Sequence, residues 1–221
     1  MLRPLLRVSA AIVALAPLVA SCQGRNLESR AMAQGVISDN ATDDTTVPPV
    51  GHYKQLRDDT YLVVLQPGAK LLKSLTTFQA LTGIKTAALT GIGVVKDTTL
   101  GFYKFNADGT PAKTHTDDTI AGAREVTSLI CNFMTRIVTE GQADQAAPPH
   151  CHIALAGRDD QTPNGAGWNV VGGHLIEATV GVTAELIVTT YPTEVNKRPS
   201  DAFGGFLIDA TPAQGGTAFS N

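Results

Sequence analysis

Three cysteines in 221 residues exclude two classes of protein at once. They are too few for the disulfide framework of a small secreted scaffold and for a four-thiolate zinc site. Positive charge is scarce as well: 17 Lys+Arg stand against 20 Asp+Glu, a formal net of −3. Neutralising phosphates needs a basic surface, so a general nucleic-acid binder is not expected. There is no internal repeat, no heptad and no Ser-centred nucleophile elbow. Gly91-x-Gly93 is not a dinucleotide fingerprint, because no helical pattern opens after it. What is present is 43% hydrophobic against 17% charged residues, enough to fold most of the chain as one domain with appendages.

The first 21 residues have the layout of an export signal: Arg3 and Arg7 ahead of an uncharged apolar stretch from Val8 to Ala20. That stretch is too short, and Pro17 too disruptive, for a membrane-spanning helix of about 20 residues. It ends in Leu18-Val19-Ala20-Ser21-Cys22, which resembles a bacterial lipobox. The resemblance implies a diacylglyceryl group on Cys22 and a chain that begins there; an ordinary signal peptide followed by an incidental cysteine is the alternative. Gln23, not a second acidic residue, follows the cysteine, which favours outer-membrane sorting in a cell with two membranes. Residues 22–50 are then expected to be a tether. Their polar, acidic run from Ser38 to Thr46 buries too little apolar area to offset the entropy of ordering it.

The body, residues 51–195, reads as α+β with a mostly antiparallel sheet, followed by a tail over 196–221. Tyr61-Leu62-Val63-Val64-Leu65 is a predicted strand closed by Gln66-Pro67-Gly68. Leu71, Leu72, Leu75, Phe78 and Leu81 recur at helical spacing, and Gly83 is placed as a C-cap. Predicted strands follow over 84–95, where Gly91 and Gly93 suggest a bulge or a close approach, and over 98–105. The turn Asn106-Ala107-Asp108-Gly109 comes next, and further strands are predicted over 126–138, 150–156, 168–171 and 175–191. Residues 203–208 are a candidate edge strand.

Three of the five histidines fall in a suggestive pattern. His150 and His152 share one face of a predicted strand, about 7 Å apart. His174 follows Gly172 and Gly173, which let the backbone come close to whatever lies in front. Three imidazoles converging on one point make an open metal site, suited to zinc or another divalent transition metal. Solvated strand residues for the pair, and a hydrogen-bonded core histidine for His174, are the alternatives.

From Tyr61 to about Tyr191 the chain resembles the PPC domain, which is conserved in plants and prokaryotes. The matching pieces are the 61–68 strand and turn, Leu89-Thr90-Gly91-Ile92-Gly93, Arg124-Glu125-Val126-Thr127-Ser128-Leu129, His150-Cys151-His152, Gly172-Gly173-His174-Leu175, Thr179-Val180 and Thr183-Ala184-Glu185. The resemblance implies an α+β fold with one or two helices that assembles as a trimer, with His150, His152 and His174 as ligands of a metal usually taken to be zinc. Plant members carry AT-hooks built on an Arg-Gly-Arg core; this chain has none, and Lys197-Arg198-Pro199 is too short to serve, so nucleic acid is not an expected partner. The fold is also similar to that of acetolactate decarboxylase, where Glu and Arg beside the zinc handle protons and the substrate carboxylate. Arg124, Glu125, Glu177 and Glu185 are the corresponding candidates. Arg124 and Glu125 alternate in direction, so only one can face the metal, and Glu125 is the nominee. A buried structural carboxylate is its alternative role.

Cys131 and Cys151 lie on facing strands and are either a disulfide or two buried free thiols. His52 and His115 read as surface residues, and Asp159-Asp160 with Asn164 lacks the spacing of a calcium loop. Three readings stay open: an envelope lipoprotein that binds a metal and a small molecule, a metal-dependent lyase or hydrolase, and a trimeric interaction module with a structural metal.

Overall fold

The computed structural model describes residues 32–38, 49–136, 145–146, 148–159, 167–199 and 206–208. The segment expected to be an export signal, Cys22, Asp160 and Asn164 lie outside them. No helix among the described residues is long and apolar enough to cross a membrane.

The strands are β1 (Gln34–Ile37), β2 (Gly51–Arg57), β3 (Thr60–Leu65), β4 (Ala87–Phe105), β5 (Pro111–Phe133), β6 (Thr135–Arg136), β7 (Gln145–Ala146), β8 (His150–Asp159), β9 (Gly167–Thr190), β10 (Asn196–Pro199) and β11 (Phe206–Ile208), with one helix, α1 (Leu71–Thr82). The larger sheet runs β1-β2-β3-β9-β4-β5-β8, every pairing antiparallel. A smaller one runs β11-β10-β6-β7. The expected α+β class, mostly antiparallel with one or two helices, is what the described residues form, with α1 as the one helix among them.

Strand β9 is long enough to serve three neighbours, and its end pairs with β3 through Ala184–Thr189. Its first part, from Gly167 to His174, pairs with β8, and from His174 onward it pairs with β4. Because β4 also pairs with β5, and β5 with β8, these four strands close a circuit. His174 sits at the changeover, opposite His152 on one side and Gly101 on the other. The circuit has one filled face, where Leu89, Val95, Leu129, Phe133, Cys151, Leu155, Leu175, Val180 and Leu186 are buried. Burying such side chains is the main stabilising contribution, about 1.5–3 kcal/mol each.

Helix α1 packs Leu71, Leu72, Leu75 and Phe78 into this core, but Leu81, the last residue of the apolar pattern, is exposed, and Gln79 is buried in its place. The Gln79 amide donates to the carbonyl oxygen of Ile84, which makes its burial tolerable. Gly83 takes the left-handed conformation and its N–H donates to the Gln79 carbonyl, the expected C-cap. The helix start has no cap of its own; instead Glu177 of β9 accepts from the N–H groups of Leu72 (2.9 Å) and Lys73 (3.3 Å). A carboxylate there also complements the positive end of the helix.

Two expected boundaries are corrected. Residues 34–37, placed in the tether by composition, form β1, pair with β2 and bury Ile37 completely. Tyr53 lies over Gly35, where any Cβ would meet its ring at 2.5 Å, so the glycine is what lets β1 dock. The tail is not all appendage either, since β10 pairs with both β6 and β11. Short segments of this kind carry too little pattern to be read locally; their partners lie far away in sequence. The predicted strands 84–95 and 98–105 are one strand, β4, with register shifts at Gly91/Gly93 and at Lys96/Thr98. At Gly93, with φ +151°, a Cβ would stand 2.3 Å from the Thr183 carbonyl oxygen, so the predicted close approach is real.

Candidate metal centre

Strand β8 alternates buried Cys151, Ile153 and Leu155 with solvent-accessible His150 and His152. His174 of β9, half-buried, is the register partner of His152. One donor atom from each of the three imidazoles lies within 4.8 Å of the others. Ring centroids are 5.2 Å apart for His150 and His152, 4.9 Å for His150 and His174, and 5.5 Å for His152 and His174. Residues i and i+2 of a strand are about 7 Å apart, so the rings of the pair lean together to reach this spacing.

Two local features hold the three in place. Gly172 brings β9 against β8 beside His152: a Cβ on it would stand 2.6 Å from the Ile153 carbonyl oxygen. Gly172 therefore serves strand approach, whereas a Cβ on Gly173 would meet the Phe102 ring at 3.0 Å. Cys131 and Cys151 are register partners joined by a disulfide, with Cα atoms 4.1 Å apart. That resolves the choice left open by the sequence, and it ties β5 to β8 at the residue between His150 and His152.

The imidazole of His150 is pushed down to about 4, first by desolvation, then by the positive charge of Lys197 and by its two histidine neighbours. A neutral imidazole is the form that binds metal. Among the described residues this is the cluster able to hold an ion, and its members are exclusively histidines. Three neutral nitrogens fit zinc and its divalent neighbours and leave a coordination position for a further ligand.

The acidic and basic candidates lie elsewhere. Glu125 is opposite Ala156, four residues along β8 from His152, about 13 Å away. It does not join the histidine cluster. Arg124 runs over Gly157, where a Cβ would meet its side chain at 2.6 Å, and donates to the side-chain oxygen of Asn169. Glu177 caps α1, and Glu185 faces a shallow groove with Ile92, Ile130 and Ile187. His52 is exposed beside Gln66, and His115 stands in β5 opposite Tyr103. Sequence reasoning missed Lys197 and Asn132. Lys197 of β10 is 8% exposed and donates to Asn132 Oδ1 at 2.9 Å, and Asn132 is the β5 partner of His150. A lone Lys and a lone Asn have no periodicity, so nothing in the sequence joins them.

A model of the Plants and Prokaryotes Conserved (PCC) domain matches residues 54–192, more than half of the chain. The chain belongs to this family. Solved structures similar to this PCC-domain chain include a plant- and prokaryote-conserved (PPC) protein of Pyrococcus horikoshii. It shows 25% identity and TM-score 0.52 over 70% of this chain and 93% of that one. A candidate DNA-binding protein of Bacteroides thetaiotaomicron has 22% identity and TM-score 0.55 over 72% and 97%. A metal-containing protein of Archaeoglobus fulgidus has 23% identity and TM-score 0.50 over 67% and 91%. These likenesses concern the fold. No curated protein matches the chain by sequence. The PCC match ends before β10, so Lys197, bonded to Asn132 across from His150, stands outside the matched segment.

Proposed function

We propose that this PCC-domain protein is an exported lipoprotein that holds a divalent metal, zinc foremost, on His150, His152 and His174. The remaining coordination position is offered to a small molecule. The observation that carries this reading is the convergence of three imidazole donors within 4.8 Å, on strands β8 and β9 that meet at a glycine contact, with β8 tied to β5 by a disulfide. The Archaeoglobus protein of the same fold, called metal-containing, supports it. Export rests on the basic, apolar and lipobox-like segments that end at Cys22. The Cys131–Cys151 disulfide fits an oxidising compartment, hence the periplasmic side of a bacterial envelope, with the outer membrane favoured.

Assembly as a homotrimer is part of the same reading. Ile187, Thr90, Ile130 and His152 form one cross-strand row, and Ile92 flanks it. Ile92 is 61%, Ile130 60% and Ile187 41% exposed, an apolar strip beside the histidines that a partner subunit would cover. Substituting Ile130→Glu is expected to give monomers that remain folded. The lyase or hydrolase reading needs a protic side chain at the metal, and Glu125 stands well away from it. Binding is therefore the better supported activity. Although some structural neighbours are called DNA-binding, the net charge of −3 and the missing AT-hook core argue against nucleic acid here, and no retention of duplex DNA is expected at low salt.

Elemental analysis of the purified protein, with its mass in solution, tests the proposal. About one metal per chain is expected, in a trimer, with the open site characteristic of three protein ligands. Folded protein that binds no added zinc, or a His152→Ala variant that keeps stoichiometric metal, overturns the three-histidine site.

A further inference from the structure

The larger sheet has a covered face and an open one. Helix α1 lies on the first, where Phe78 packs against the rings of Tyr53, Tyr61 and Phe133. On the second, β1, β2 and β3 set Val36, His52, Lys54, Leu62 and Val64 around a groove of about 470 Å³. The pairing of Leu62 with Ile187 and of Val64 with Glu185 places a second groove beside it. This one, of about 400 Å³, is lined by Glu185 and Ile187 of β9, Ile92 of β4 and Ile130 of β5. Each groove joins apolar side chains to an exposed charge, Lys54 in the first and Glu185 in the second. Among the described residues neither of these two is in an ion pair. An apolar face of this extent marks an interaction site, and its two halves are of opposite charge.

We propose that the open face closes the trimer head to tail: the β1–β3 groove of one copy sits on the Glu185 groove of the next, and Lys54 meets Glu185 across the contact. This rests on the trimer reading above and supplies the surface that meets its apolar strip. A closed ring of three needs two different patches on every subunit, each fitting the other, and the two grooves are such a pair. Covering the isoleucines also covers Glu185, and a carboxylate taken from water needs a cation opposite it. Strand β1 and His52 precede the segment matched by the PCC model, so part of this docking surface is this chain's own addition to the domain. A neighbour seated over Ile130 stands beside His152, the β8 partner of Ile130. The metal centre then lies at the rim of the subunit contact.

The full chain is sized by analytical ultracentrifugation as wild type, as Lys54→Glu, as Glu185→Lys and as the double exchange. Each single exchange sets like charges against each other and is expected to raise the trimer dissociation constant at least about tenfold. The double exchange restores opposite charges and should return it to within about threefold of wild type. Both positions are exposed, and circular dichroism checks that the variants fold. Cross-linking gives a second measurement that does not depend on charge. Within one chain, strand spacing keeps the Cα atoms of residues 54 and 185 about 12 Å apart. That is beyond the roughly 7 Å limit for a disulfide, so a bond between these positions joins two copies. Lys54→Cys combined with Glu185→Cys is expected to oxidise to a covalent trimer, and neither substitution alone should. Trimers that persist unchanged in both single exchanges, or a double-cysteine trimer that does not cross-link, overturn the Lys54–Glu185 contact and leave the trimer reading standing. A monomeric or dimeric wild-type chain overturns the trimer reading and this proposal with it, and leaves the open face to a small molecule or a lipid surface.

Discussion

The two faces of β8 do different work with adjacent residues. On one face Cys151, Ile153 and Leu155 are 0%, 3% and 0% exposed and belong to the core. On the other, His150 and His152 meet solvent and each other. The alternation lets a fully packed face hold a polar face still: the disulfide from Cys151 and the packing of Ile153 and Leu155 set the backbone from which the imidazoles project. Positioning of the site is thus a by-product of core packing one residue away.

If this division is right, substitutions on the two faces should separate stability from metal binding. The largest loss of stability is expected from Leu155→Ala, about 2–5 kcal/mol for a fully buried leucine, seen as a lower denaturation midpoint. Next comes loss of the disulfide. Replacing both Cys131 and Cys151 by Ala opens a link across 20 residues of sequence and should cost about 2–4 kcal/mol. It should also weaken metal affinity, because the backbone between His150 and His152 is then held less firmly to β5. Glu177→Ala, which uncaps α1 from a distance, should cost about 1 kcal/mol and leave metal stoichiometry alone.

On the outer face the order reverses. His152→Ala should change the stability of the metal-free protein by less than about 0.5 kcal/mol, yet abolish metal uptake. A stability loss as large as that of Leu155→Ala would erase the distinction between the faces. A further test concerns pH. In the metal-free fold His150 titrates near 4, below the ordinary 6.5, so the unfolded chain binds the extra proton first as pH falls. The contribution of this group is fully present above 6.5 and is lost as pH falls through that value toward 4, giving a decline that denaturant titrations at pH 7 and pH 5 can measure. His150→Gln should flatten it.

Much of this was legible in advance. The periodicity from Leu71 to Phe78 with Gly83 behind it marked α1, the alternation around His150 and His152 marked a strand with two faces, and the ordered motifs marked the family. Those signals are local, or recur in a fixed order. Leu81 misled because apolar spacing says nothing about where the core ends, and Glu125 because strand direction says nothing about how far along a neighbouring strand a residue lies. The strand β1 was hidden inside a polar stretch, since four residues gain their structure from β2 and Tyr53 and little from their own propensity.

By itself the sequence determined the class of fold, the helix and its end, the alternation on β8 and the identity of the three metal-binding candidates. Each follows from residue type and short-range spacing, which act within a few residues. Only the tertiary structure decided that Cys131 meets Cys151, that His174 stands opposite His152, that Glu177 caps a helix from more than a hundred residues away, and that Lys197 reaches Asn132 beside His150. Those pairings depend on strand register, and register is set by the burial of whole faces together.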